Sequence, residues 1–219
     1  MKRILLVAVL LLQFCSYENP FTTRTKGDYI PITEAGNYWL YKGSEGAEKY
    51  VEVLESPSSL VLDGREVVII SENYTQYFWY KGEGFVSRYL EVDVNFGGEL
   101  YPVESRWQAY IEIPLVLGNE WQDLWEDTLT IFNEPLLRVD ELRAKVVAIE
   151  DVFTEAGDFS NCYKIGFELR EEIHSSIIGD SVIEHTFFEW YAPDIGLVRS
   201  TSDNQHWELS EYGNKGEGD

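Results

Sequence analysis

The chain is short of bases, of cysteine and of catalytic signatures. Its 219 residues hold 17 Lys and Arg against 39 Asp and Glu, a formal net charge of −22. A surface that acidic repels phosphate backbones and anionic headgroups, so nucleic acid is not an expected partner. Two cysteines, Cys15 and Cys162, are too few for a disulfide framework. There is no G-x-S-x-G elbow, no phosphate-binding glycine loop, no dinucleotide fingerprint and no Cys pair at metal spacing. No cofactor is expected. Amphipathic helices are missing too. "EWQDLWEDTLTIF" comes nearest, with Trp121, Leu124, Trp125 and Leu129 at helical spacing, but it is short.

What is present begins at the N-terminus. "MKRILLVAVLLLQFCS" sets Lys2 and Arg3 before an apolar run, Ile4 to Leu12. A charged start followed by a short apolar stretch is the pattern of a secretory signal, and the run is too short to span a bilayer comfortably. "LQFC" resembles the cleavage box of bacterial lipoproteins, although Phe14 stands where a small residue is usual. That resemblance implies cleavage before Cys15 and lipid on its thiol. Residues 1–14 are then a signal peptide and 15–28 a tether, and the protein is expected in the bacterial envelope, held on the outer membrane by its lipid, or otherwise periplasmic or secreted. Cys162 would be left alone, in the strand-like "NCYKIGF", as a buried inert thiol.

Aromatic residues are plentiful: seven Trp, fourteen Tyr and eleven Phe. They fall in short runs such as "EKYVEVLE", "REVVIISENY", "RAKVVAIEDV" and "SVIEHTFFEWY", divided by turn signals such as Asp63-Gly64 and Gly157-Asp158. Short strands with tight turns predict an all-β antiparallel meander, a curved sheet or half-barrel, from residue 29 to 212, followed by a flexible tail over 213–219.

Two motifs occur twice, in the same order. "YIPITEAGNYW" and "IEIPLVLGNEW" share Ile-Pro followed by Gly-Asn-x-Trp. "YFWYKGEGFVSR" and "FFEWYAPDIGLVRS" share an aromatic run, a turn, an apolar pair and Arg. This predicts two tandem related β units, 29–110 and 111–212. "DYIPITEAGNYWLYKG" with "WYAPDIGLVRS" also resembles a paired signature of poorly characterised bacterial envelope proteins, many described as lipoproteins. Their pattern is "YFPL-x-x-G-N-x-W-x-Y" early and "WYAPGVGLVK" late. Here Ile30 and Ile32 stand where Phe and Leu are common, and Asp194 where Gly is common. The resemblance implies a curved antiparallel sheet akin to the half-barrels of lipoprotein carriers, and no known reaction.

Candidate sites are few. With Gly179-Asp180 as a two-residue turn, His174 would face His185 across a hairpin, with Glu172 beside them, a weak metal pair lacking further ligands. "DVNFGGELYPVE" scans as a calcium loop from Asp93 to Glu104, but Gly97 removes a ligand, and a Gly-Gly turn between strands fits better. Acidic pairs Asp123/Glu126, Glu126/Asp127 and Glu171/Glu172 could serve a hydrolase only if two carboxylates converge across a cleft. Trp107, Trp121 and Trp207 lie in less apolar settings and are the candidates for stacking on glycan rings. The expected function is that of a non-catalytic exported lipoprotein binding an apolar small molecule or an envelope partner. A glycan-binding surface module is the alternative, and a carboxylate hydrolase ranks below both.

Overall fold

A computed structural model describes residues 27–96, 99–131, 134–176 and 179–217. Cys15 and the signal, together with Gly97, Gly98 and the last two residues, lie outside the described residues. The chain forms β1 (Asn37–Gly43), β2 (Glu48–Glu55), β3 (Val61–Leu62), β4 (Arg65–Glu66), β5 (Val68–Glu72), β6 (Thr75–Lys81) and β7 (Phe85–Phe96). There follow β8 (Glu99–Glu112), β9 (Glu120–Ile131), β10 (Glu134–Thr154), β11 (Gly157–Ser175), β12 (Ser181–Ala192), β13 (Gly196–Ser202) and β14 (His206–Asn214). Helix among the described residues is limited to two single 3-10 turns, Ser44–Gly46 and Lys215–Glu217.

Twelve strands make one antiparallel sheet in the order β8-β7-β6-β5-β2-β1-β14-β13-β12-β11-β10-β9, and β3 with β4 forms a separate small hairpin. Two meanders of six strands each are therefore joined where the first strand pairs with the last. The accumulated twist of so long a sheet curls it toward closure. The edges β8 and β9 meet through side chains rather than a backbone ladder. Arg106 Nη1 donates to Asp123 Oδ2 at 2.6 Å, the Ala109 amide donates to Asp123 Oδ1 at 3.2 Å, and Trp121 Nε1 donates to the Tyr110 carbonyl at 3.0 Å.

The small hairpin follows the sequence signal. Asp63 and Gly64 both take positive φ, 48° and 77°, which the turn between Val61-Leu62 and Arg65-Glu66 requires. β9 corrects the helical spacing of "EWQDLWEDTLTIF". The segment is a strand paired with β10 from Glu120↔Lys145 to Ile131↔Glu134. The tail also starts later than expected, because Gly213 and Asn214 belong to β14 and pair with Tyr38 and Asn37. At the other end the body already includes Asp28, whose carboxylate receives Lys81 Nζ at 2.6 and 2.5 Å.

The inner face holds the core. Tyr110 stacks on Phe167 at 5.0 Å between centroids, Phe167 stacks on Phe187 at 4.7 Å, and Trp121 meets Phe167 edge-on at 6.3 Å. Phe167 is fully buried. Such a side chain contributes about 1.5–3 kcal/mol through burial, and each ring pair adds about 0.5–1.5 kcal/mol. Cys162 is buried as well; desolvation raises its thiol to about 11, which makes it unreactive at neutral pH.

Candidate functional site: a cavity around a buried carboxylate

The interior is not filled from end to end. A cavity of about 380 Å³ lies between the two meanders, lined by Ile30, Ile32, Trp39, Tyr41, Val51, Ile70, Trp79, Tyr110, Tyr191 and Leu197, with Lys49, Glu72, Arg88 and Glu189 among them. The segment leading into β1 closes one end. Tyr29, Ile30 and Ile32 are buried there, and Lys81 Nζ bonds the Ile30 carbonyl at 2.7 Å as well as Asp28. Gly196 allows this close approach: φ is +95°, and a Cβ would stand 3.1 Å from Pro31 Cδ. Trp39 Nε1 donates to the Ile195 carbonyl at 2.6 Å, and the Tyr41 hydroxyl donates to the Leu197 carbonyl at 3.0 Å, so β1 is tied to the β12–β13 turn. In that turn Asp194 takes φ 60°, the left-handed conformation that Asp tolerates where glycine is common, and its Oδ1 accepts the Asp28 amide at 2.7 Å. A second cavity of about 380 Å³ shares Arg88 and Tyr110 and continues toward the β13–β14 turn at Asp203 to Gln205.

Glu189 is the unexpected member. It sits on β12 between Phe187 and Tyr191 on the inner face and pairs with Ile165 on β11. Its side chain is buried, Tyr110 donates to Oε1 at 2.9 Å, and the Tyr191 hydroxyl donates to Oε2. Burial pushes its pKa above the usual carboxylate range; the two tyrosine bonds and the charges of Lys49 and Arg88 oppose that rise only in part. The same burial, helped by Glu189's charge, holds the hydroxyls of Tyr41, Tyr110 and Tyr191 well above the ordinary tyrosine value. Lys49 and Arg88 rest on aromatic faces. Lys49 Nζ lies 5.1 Å from the ring centroids of both Tyr41 and Trp207, and the Arg88 guanidinium lies 4.5 Å from that of Tyr110, with Nε on Gln108 Oε1 at 2.6 Å.

The repeated stretches converge on this cavity. The early motif supplies Ile30, Ile32, Trp39 and Tyr41, the first aromatic stretch supplies Tyr77, Trp79 and Arg88, and the second supplies Glu189, Tyr191, Gly196 and Leu197. Both aromatic stretches are hairpins between the fourth and fifth strands of their meander, and both set Trp opposite Arg, as Trp79↔Arg88 and Trp190↔Arg199. They differ in face. Trp79 and Arg88 point inward, whereas Trp190 lies on the outer side, bonded to Glu150 and covered by Lys164 at 4.6 Å from its ring. The two Gly-Asn-x-Trp motifs agree more closely. Gly36 and Gly118 have φ of 90° and 88°, their amides donate to the carbonyls of Val53 and Val146, and Trp39 and Trp121 are both buried.

The other candidates do not assemble. His185 pairs with Leu169, and Ile173 with Ser181, so the hairpin register is five residues away from a Gly179-Asp180 two-residue turn. An odd slip reverses faces, and His174 and His185 lie on opposite sides of the sheet. His174 sits 3.4 Å from both Glu172 and Asp180 instead. Each of the pairs Asp123/Glu126, Glu126/Asp127 and Glu171/Glu172 is separated by an odd number along one strand, so its carboxylates point to opposite faces and do not converge. None of the seven Trp is exposed. Trp121 is buried, Trp207 lies under Lys49, and Trp107 packs edge-on against Tyr80 and Tyr89, its buried Nε1 without a hydrogen-bond partner among the described residues.

A protein-family model described as DUF3108-like matches residues 130–213, which contain the late "WYAPDIGLVRS" motif but not the early one. No curated protein matches the chain. A solved structure from Parabacteroides distasonis, described as "a putative lipoprotein", is 17% identical with a TM-score of 0.46, covering 85% of this chain and 99% of that one. Another, from Bacteroides fragilis and described as "a putative exported protein with YmcC-like fold", is 17% identical with a TM-score of 0.45, covering 86% of this chain and 100% of that one.

Proposed function

We propose that this is an exported, non-catalytic binding protein, anchored by lipid on Cys15, which carries an apolar small molecule inside its curled sheet. The observation that supports this most is the cavity of about 380 Å³ with isoleucine, tryptophan and tyrosine walls. A volume in the range of small-molecule pockets, mostly apolar with a few placed polar groups, is the form such sites take. The two meanders are read as diverged copies of one unit, 29–110 and 111–212, with the cavity between them. The alternative glycan-binding reading, which rests on exposed Trp and Tyr, loses its Trp candidates, since Trp121 is buried and Trp107 and Trp207 are half-buried; the exposed tyrosine rings among the described residues are those of Tyr74, Tyr77 and Tyr212. The hydrolase reading loses its pairs of adjacent acids for the reason of strand geometry given above.

The test uses a neutral environment-sensitive dye, N-phenyl-1-naphthylamine, titrated into the purified protein. Saturable fluorescence enhancement is expected, and Val51→Trp, which fills the cavity from β2, should weaken it with the circular dichroism spectrum unchanged. No enhancement, or enhancement indifferent to the filled cavity in a folded variant, overturns the proposal. Intact mass of protein taken from membranes tests the anchor. The expected chain begins at Cys15 and carries acyl mass, and a chain lacking that mass refutes the anchor alone.

A further inference from the structure

The distribution of positive charge inside the sheet is unusual for so acidic a chain. Among the described residues, Lys42, Lys81, Arg106, Arg138, Arg143, Lys145, Lys164, Arg170, Arg199 and Lys215 each have a carboxylate oxygen within ion-pair reach. Lys49, Arg65 and Arg88 have none among those residues. Two of the three line the same cavity. Both are half-buried, and both are held on ring faces rather than by counter-ions. With acids outnumbering bases by more than two to one, the absence of a carboxylate partner at two cavity-lining bases is not explained by scarcity of acids.

We infer that the cavity takes an amphiphile with a carboxylate or similarly anionic head, its head placed between Lys49 and Arg88 and its tail among Ile30, Ile32, Ile70 and Trp39. This rests on the cavity-binding reading above and adds the chemistry of the head. Two of the cavity's ring faces, those of Tyr41 and Tyr110, are already taken by the protein's own cations, Lys49 and Arg88. What those cations lack, among the described residues, is a carboxylate within ion-pair reach. A charge half-removed from water gains most from a charged partner, and a guanidinium can bond a carboxylate with two parallel N–H donors. Glu189 does not fill that role: its oxygens are taken by Tyr110 and Tyr191, and it lies beyond ion-pair distance of both bases. It offsets their charge across the cavity. Burial raises Glu189's pKa above the usual carboxylate range, which lessens its opposition to a second carboxylate in the cavity. The groups facing it are Tyr110, Tyr191, Tyr41, Lys49, Arg88 and Glu72.

The experiment displaces the neutral dye from the purified protein with three twelve-carbon compounds of one tail and different heads: dodecanoate, dodecanol and dodecyltrimethylammonium, each below its aggregation threshold. Dodecanoate should displace the dye at a concentration at least about tenfold below dodecanol, as expected of charge-assisted hydrogen bonds. The Lys49→Met/Arg88→Met protein should lose this ratio, and Glu189→Gln, which removes the opposing charge, should increase it. If the double variant does not fold, Lys49→Met alone should reduce the ratio and Arg88→Lys should retain part of it. Preference for the ammonium compound, abolished by Glu189→Gln, would overturn the inference and make Glu189 the head-group partner. Equal displacement by all three also overturns it while leaving a general apolar cavity. If the dye itself never binds, both the cavity reading and this inference fall.

Discussion

Removing the Tyr110 hydroxyl tests whether Glu189 is held as a buried acid. Tyr110→Phe keeps the ring that stacks on Phe167 and deletes one of the two hydroxyls that bond the carboxylate. A buried charged acceptor that loses a donor costs about 1.5–3 kcal/mol, or roughly 3–12 °C of Tm for a chain of this size. The sign of the pH dependence follows from the direction of the shift. Glu189's pKa is raised in the folded protein, so its contribution to stability is fully present below the ordinary value of 4.5 and is lost as pH rises through the folded value. The Tyr110 bond lowers that pKa, so removing it pushes the folded value higher still and enlarges the loss at high pH. Urea unfolding followed by Trp fluorescence should therefore show a larger deficit for Tyr110→Phe at pH 8 than at pH 5. The control is Tyr38→Phe, which deletes a hydroxyl bonded to Glu211 at the surface, 2.9 Å away. That change should stay within about 0.5 kcal/mol. A deficit in Tyr110→Phe that is no greater than in Tyr38→Phe, or that shrinks as pH rises, would refute the account of Glu189.

Two further outcomes follow from the packing. Cys162 should resist thiol reagents at pH 7 in the folded protein and react fully in urea, because burial holds its thiol near 11; rapid labelling of the native state would contradict its full burial, with Sγ donating to the Phe159 carbonyl. Asp123→Ala should destabilise by about 3–5 kcal/mol, because it strands the largely buried Arg106 and frees the Ala109 amide, and hydrogen exchange at that amide should accelerate relative to β11.

The strands were legible in the sequence because aromatic and β-branched residues alternate and glycine marks the turns. β9 was ambiguous for a particular reason. Its inward positions, Trp121, Asp123, Trp125 and Asp127, mix two rings with two acids, so the two-residue period is masked and the ring spacing imitates a helix. The His174–His185 pairing failed because turn residues give the position of a reversal but not its length, and a slip of five residues reverses every side chain. Glu189 was the hardest to see. In "FFEWY" both faces of the strand are aromatic, so alternation alone does not say which face meets the core. The available signal was an acid inside an otherwise unbroken aromatic run, one of the few places where a charge interrupts the pattern. Lys49 and Arg88 carried no signal, since their lack of carboxylate partners is visible only in three dimensions.

The joining of β1 to β14 also sets an order of events. Asn37 and Asn214 are bonded across 177 positions of chain, while β8 and β9, consecutive in sequence, form the seam that has no backbone ladder. The break in the sheet is thus in the middle of the chain, and its centre is made from the two ends. Each meander can zip up hairpin by hairpin, but the central ladder must wait for the last strand, and contacts of such long range are slow to form. A chain threaded N-terminus first through a narrow channel would pair β1 with β2 early but keep its other edge open until β14 had emerged. The cavity, whose walls come from both meanders, would take shape only then, as the last event of folding.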